Sequence, residues 1–333
     1  MRPGVSIARA ARLLAPLAAC AAGCSSGITV VLGSSSPVPY HFEAPVLLTE
    51  LASPSRSDNP TLTADLLEIY FTTDRVSGNG DVWFASRSSP SAPFGTPAAV
   101  TAVNGASFET SSAISADGLT LWFGSDRAGG AGGNDIWVSQ RASRAGAWST
   151  PVNVIALNSP ADDIPRPPGQ HALVMPMAST QVTAKDPVVG NYQTYLAARA
   201  TTGAPFAAPV PILELDYSDR STVDGFLTDD GLTMFFSSAP VTEAADAAAP
   251  PVDGGKVGDA GAKTVDGGAP NSDLFVAWRR STSESFSGTT PLSDLNTAAD
   301  ERDPWLSPDG TTLYFTSDRG GPLNIYTAEV MPR

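Results

Sequence analysis

Apolar and polar residues alternate along most of this chain in short runs, and the runs recur in a fixed order. Residues 115–138 read SADGLTLWFGSDRAGGAGGNDIWV, and residues 307–327 read SPDGTTLYFTSDRGGPLNIYT. Each contains a turn (Asp117-Gly118, Asp309-Gly310), an alternating apolar strand, a second turn built on Ser-Asp-Arg and Gly-Gly, and a further apolar strand. Period-two alternation bounded by Asp-Gly turns predicts antiparallel hairpins. Their recurrence as a unit predicts an all-β chain folded as a single β-propeller.

The blades can be counted from the repeats. The first carries Leu67–Phe71 and Asp81–Ala85, and the second Ala113–Ser115, Leu119–Phe123, Asp135–Ser139 and Pro151–Ile155. The third is degenerate, with Pro168-Gly169 at the turn, a strand over Ala172–Met175, and Tyr195-Leu196-Ala197 in place of Asp-Ile-Trp. The fourth has Asp230-Gly231, Thr233–Ser237 and Asp273–Val276; the fifth has Asp309-Gly310, Leu313–Thr316 and Asn324–Tyr326. A second phrase, an aromatic followed by Pro and apolar residues, separates the blades at Trp148, Phe206 and Phe286. The fifth blade lacks it, but Phe42–Leu48 (FEAPVLL) supplies it from the start of the domain. The N-terminal segment is therefore expected to give the outer strand of the last blade, which removes exposed sheet edges. The expectation is five four-stranded blades, with a hidden sixth as the alternative.

Composition changes the picture at two places. Residues 1–24 carry Arg2, Arg9 and Arg12, no acid, and an apolar run too short to span a bilayer. Small residues stand before Cys20 and Cys24, in a pattern resembling the lipobox of bacterial lipoproteins. Residues 1–24 read as a lipoprotein signal with Cys24, or else Cys20, as the lipidated residue; an ordinary secretory signal is the alternative. These are the chain's two cysteines, so the mature domain is expected to hold no disulfide or thiol nucleophile. Residues 25–41 read as a flexible tether and 42–333 as the propeller. Within it, 239–271 is rich in Ala, Pro, Gly and Asp and reads as a disordered insertion. Its Asp-Gly-Gly triplets lack EF-hand spacing.

The net charge is −14, and −17 once the three arginines of the signal are removed. That argues against nucleic acid and against electrostatic docking on anionic lipid, leaving the anchor as the membrane contact.

The pattern Ser-Pro-Asp-Gly, Leu-Tyr-Phe, Ser-Asp-Arg, Gly-Gly, Asp-Ile-Trp resembles the WD40-like (PD40) repeats of TolB-type propellers. The second blade, with Trp148–Asn153 and Leu157-Asn158-Ser159, is especially similar to PD40 repeats beside peptidoglycan-associated domains. The resemblance covers most of residues 42–330. It implies a bacterial envelope propeller, at the outer membrane, periplasm or cell surface, that binds an envelope protein or wall polymer. A monomer is expected.

Most repeated residues have structural readings. The Asp-Gly pairs suit turns needing positive φ. Asp74-Arg75, Asp126-Arg127 and Asp318-Arg319 recur after one strand and read as an ion pair or turn cap. Trp83, Trp137, Phe275 and Tyr326 share one position and read as inter-blade core, while Asp81, Asp135, Gln193, Asp273 and Asn324 open the same strand as hydrogen-bond acceptors. Residues 129–133 lack the lysine and helix of a phosphate loop. Just before each innermost strand stands an acid: Asp58, Glu109, Asp163, Asp224 and Glu301, with Asp303 behind it. Two readings stand: the acids ring one mouth of the channel and bind a ligand there, or each caps its own turn against an arginine such as Arg166 or Arg302. A ring of like charges raises its own pKa values or recruits a divalent cation; no other cofactor is expected. An enzyme reading has little to build on. Glycoside cleavage needs two carboxylates, and nothing distinguishes acid from base among these six. His41 and His171 are the chain's histidines, and the Ser-x-Asp-Gly spacing departs from the Ser-x-Asp-x-Gly of sialidases. The expected function is a lipid-anchored binding or scaffold module, with a carbohydrate-active hydrolase or lyase as the alternative.

Overall fold

In the computed structural model, residues 40–76, 78–169, 171–241 and 271–331 are described. The signal segment, both cysteines, most of the tether and residues 242–270 of the insertion lie outside them. The described strands form five four-stranded antiparallel sheets. Blade one is β2 (Ser57–Leu62), β3 (Glu68–Thr73), β4 (Asp81–Ser86) and β5 (Ala98–Ala99). Blade two is β6 (Glu109–Ile114), β7 (Thr120–Ser125), β8 (Asp135–Gln140) and β9 (Val152–Asn153). Blade three is β10 (Asp163–Pro165), β11 (Val174–Ser179), β12 (Gln193–Ala198) and β13 (Val210–Pro211); blade four is β14 (Arg220–Leu227), β15 (Thr233–Pro240), β16 (Asp273–Trp278) and β17 (Ser287–Pro291). In blade five, β18 (Glu301–Leu306), β19 (Thr312–Ser317) and β20 (Asn324–Glu329) take their fourth strand from β1 (Val46–Leu47), which pairs with β20. The closure is the one the repeated phrase predicts, and Phe42, bridged to Val330, is buried behind it.

Apolar faces of neighbouring blades meet in separate cores: Phe71 against Trp305 and Ile325, Tyr70 against Phe123, Trp122 against Met175, and Phe235 against Phe315. Asn104, Asn158 and Asn296 hold the third strands of three blades by accepting from, and donating to, the backbone of Val82, Ile136 and Leu274.

The turn after the innermost strand needs a left-handed residue. Gly118, Gly231 and Gly310 supply it at φ +75, +70 and +72, and Leu66 takes that conformation in blade one. Blade three differs from its expected course. His171 and Ala172 are both left-handed, so the second strand begins at Val174 instead of Ala172. Two boundaries also move. Tyr40 packs on Phe42 and Phe235, and the His41 carbonyl accepts from Met331, so the packed domain begins before Phe42. Ala239 and Pro240 extend β15, paired with Ser221 and Arg220.

A shared irregularity shapes the innermost strands. In blades one, two and five a bulge follows the second ladder pair, and in the longer innermost strand of blade four it follows the fourth, with Asn59, Ser111, Asp303 and Asp224 at φ between +49 and +59. Blade three has Pro165 there; its ring fixes a negative φ, and the register stays regular.

Candidate functional site

The innermost strands have two ends, and the six sequence-predicted acids belong to the first. None is more than 2% exposed. They form two groups, one at the strand starts and one against the axis.

Glu109, Asp163 and Glu301 open β6, β10 and β18 opposite Ser125, Ser179 and Ser317. Glu109 Oε1 accepts from Ser125 Oγ and from Arg127 at 2.8 Å, while Oε2 accepts from the Gly105 N–H. Glu301 repeats this with Ser317, with Arg319 at 3.0 Å, and with the Thr297 hydroxyl and N–H. Asp163 Oδ2 accepts from the N–H and hydroxyl of Ser159. Burial pushes the Glu109 and Asp163 carboxyls above their ordinary range, against the pull of these donors.

The arginine of Ser-Asp-Arg therefore pairs with the strand-start acid, not with the aspartate beside it. Asp126 and Asp318 instead accept from the backbone N–H of Phe108 and Asp300. Arg75, Arg127 and Arg319 lie over Trp83, Trp137 and Tyr326 at 5.2, 5.3 and 5.4 Å. Blade four has no such arginine, and Arg220 of its innermost strand reaches the same place over Phe275.

The second group lies at the axis. Arg166, 1% exposed, crosses from blade three to donate to Asn59 Oδ1 (3.3 Å) and the Pro304 carbonyl (3.1 Å). Its guanidinium is 3.9 Å from Asp303, which also accepts from Thr316 and the Asn59 N–H. Asp224 accepts from Ser237, and Asp58 pairs with Arg56 at 3.3 Å. Among the described residues, no group of three His, Cys, Asp or Glu is arranged to hold a metal ion.

The other end of the innermost strands opens a groove of about 910 Å³. Its inner part is formed by the ends of the innermost strands at Leu62, Ile114, Phe226 and Trp305. It continues outward between blades two and three along Trp122, Val138, Val154 and Phe206. The turns bring Asp117, Asp229, Asp230 and Asp309 to its edge, all exposed. Three of these carboxylates sit in the same turn: Oδ1 accepts from Ser115 and the Leu119 N–H, from Thr228 and the Leu232 N–H, and from Ser307 and the Thr311 N–H. The Ser307 hydroxyl bond holds the Asp309 carboxyl below its ordinary range. His171 stands at this edge rather than in a catalytic cluster, with its backbone N–H and ring on Asp229.

Sequence reading missed what supports these turns. Arg87, Arg141, Arg199 and Arg279 each follow a third strand and lie 4.3–4.6 Å from the ring of Phe94, Trp148, Phe206 or Phe286. The Nε of each donates to a turn carbonyl, at Leu66, Gly118, Ala172 or Gly231. The signal was present: an arginine just after the third strand in four blades. The fifth has Val330 there, where the closing segment pairs.

No protein-family model and no curated protein matches the chain. Among solved structures it is similar to an endo-arabinase from Bacteroides thetaiotaomicron, with a TM-score of 0.52 and 13% identity over 88% of this chain and 98% of that one. An α-L-arabinofuranosidase from Podospora anserina gives a TM-score of 0.51 and 9% identity over 88% and 96%. TolB from Acinetobacter baumannii gives 0.45 and 14% identity over 85% of this chain, which spans 56% of that protein's length. At these identities the likeness to the arabinase and the arabinofuranosidase carries the propeller fold alone, and the chemistry rests on the residues.

Proposed function

We propose that this chain is a binding module of the bacterial envelope, lipid-anchored through Cys24 or Cys20, that receives a protein or wall component in the groove at the turn face. The observation that carries this reading is the condition of the carboxylates at the two ends. At the strand starts and axis they are buried and engaged within the fold, as braces are. At the turn face they stand exposed around an apolar groove of about 910 Å³, a size suited to ligand binding. The arginines stacked beneath the turns hold that face in place before a ligand arrives, which limits the ordering cost of binding.

The test compares the tether-free domain with Ala156→Trp, which places a large ring at an exposed position lining the groove. Each is used to capture envelope components, and a captured component is then purified and titrated against both. Binding by the parent and loss in a folded Ala156→Trp supports the reading; equal binding moves the site elsewhere.

A further inference from the structure

Resting on the groove as the binding surface, the shape and charge of its lining specify what it receives. We infer that the groove takes an extended peptide segment in which basic residues alternate with apolar ones.

Shape argues for an extended chain. The lining runs from the ends of innermost strands in blades one, two, four and five to the second and third strands of blade two and the segment before β13. That is a path from the axis outward between two blades. Apolar side chains recur along the course, from Phe226 and Trp305 to Val138 and Phe206, with Thr120, Gln140 and Thr202 between them. Side chains on one face of a strand-like segment would enter it at every second residue.

Charge argues for a basic one. Four aspartates line the edge against one arginine and one histidine. The arginine, Arg199, is turned onto the Phe206 ring at 4.5 Å, and the histidine, His171, is paired with Asp229. In Asp117, Asp230 and Asp309 the turn bonds all go to Oδ1, which leaves Oδ2 outside the turn. The fold thus sets carboxylates at fixed positions around a largely apolar lining, complementary to lysine or arginine beside leucine or phenylalanine. The net charge of −14 favours approach of the same partner at longer range.

The probe is a short fluorescein-labelled peptide of alternating Lys and Leu, with its Glu-for-Lys counterpart as control, both read by fluorescence anisotropy. The proteins are the parent, Ala156→Trp, and Asp117→Asn/Asp230→Asn/Asp309→Asn, in which an amide oxygen still accepts the turn bonds. The expected result is binding of the Lys peptide alone, weakened about tenfold or more by the triple variant, weakened by added salt, and lost in Ala156→Trp. Failure of the Lys peptide to bind, or equal binding by the triple variant, overturns the inference. If the Glu peptide binds as well and Ala156→Trp removes it, the groove reading stands and the basic-peptide inference falls. If Ala156→Trp binds the Lys peptide like the parent, both fall.

Discussion

The two ends of the innermost strands are lined with acids in opposite condition. At the strand starts, Glu109 and Glu301 are buried, and both oxygens of each carboxylate accept from donors of the fold. At the turns, Asp117 and Asp309 are exposed, and one oxygen carries all the local bonds. Recurring carboxylates stand at both ends. The lesson is that a recurring carboxylate in a repeat fold is identified by which of its oxygens the fold consumes, not by its recurrence.

The largest effect that would break this contrast lies at the axis. Arg166→Met leaves Asp303 and Asn59 buried without the guanidinium. It should lower stability by about 3–5 kcal/mol in denaturant unfolding. A loss under about 1 kcal/mol would mean that the axis is not braced by this residue. Next is the support of the turn face. Arg141→Met removes the donor to the Gly118 carbonyl and the 2.5 Å partner of Glu68, and should cost about 3 kcal/mol, read the same way.

A smaller effect separates the ends by pH. Glu109 has a folded pKa raised by burial, so its contribution is fully present below the ordinary carboxylate pKa and is lost as pH rises through the folded value. Asp309 has a lowered folded pKa, so its contribution is present above the ordinary value and is lost as pH falls. On acidification toward about pH 4, the stability gap between parent and Glu109→Gln should therefore shift in the parent's favour. The gap between parent and Asp309→Asn should shift against it. Urea titrations across that range would show slopes of opposite sign; slopes of one sign would erase the distinction. The smallest effect is Asp117→Asn, expected within about 0.5 kcal/mol of the parent because the amide oxygen can still accept from Ser115 and Leu119.

Much of the fold was legible because blades two, four and five repeat the same Asp-Gly turn and strand pattern, against which blades one and three could be aligned. Closure was legible too, since Phe42–Leu48 completes a phrase the last blade lacks. The depth of the acids was not. Alternation says which face of a strand a residue shares, but a bulge at Ser111 or Asp303 resets that face, and neither is a glycine that would announce it. Arg166 was legible as a partner for a nearby acid, but not its reach across the axis: it stands in the degenerate blade, and its partners Asn59 and Pro304 belong to blades one and five. The groove could not be read from one repeat, because its walls come from several blades.

The most direct measurement sets Glu109→Gln/Glu301→Gln beside Asp117→Asn/Asp309→Asn and compares thermal midpoints with the parent. Both pairs neutralise two carboxylates with near-isosteric amides. At the strand starts an amide NH2 must face a donor wherever it turns, at a cost of about 1–3 kcal/mol per site. At about 2–4 °C per kcal/mol, the first variant should melt roughly 10 °C lower. The second should stay within about 2 °C, since its NH2 can turn to solvent. Equal shifts, or a larger loss in the turn-face variant, would contradict the division between structural and ligand-facing acids.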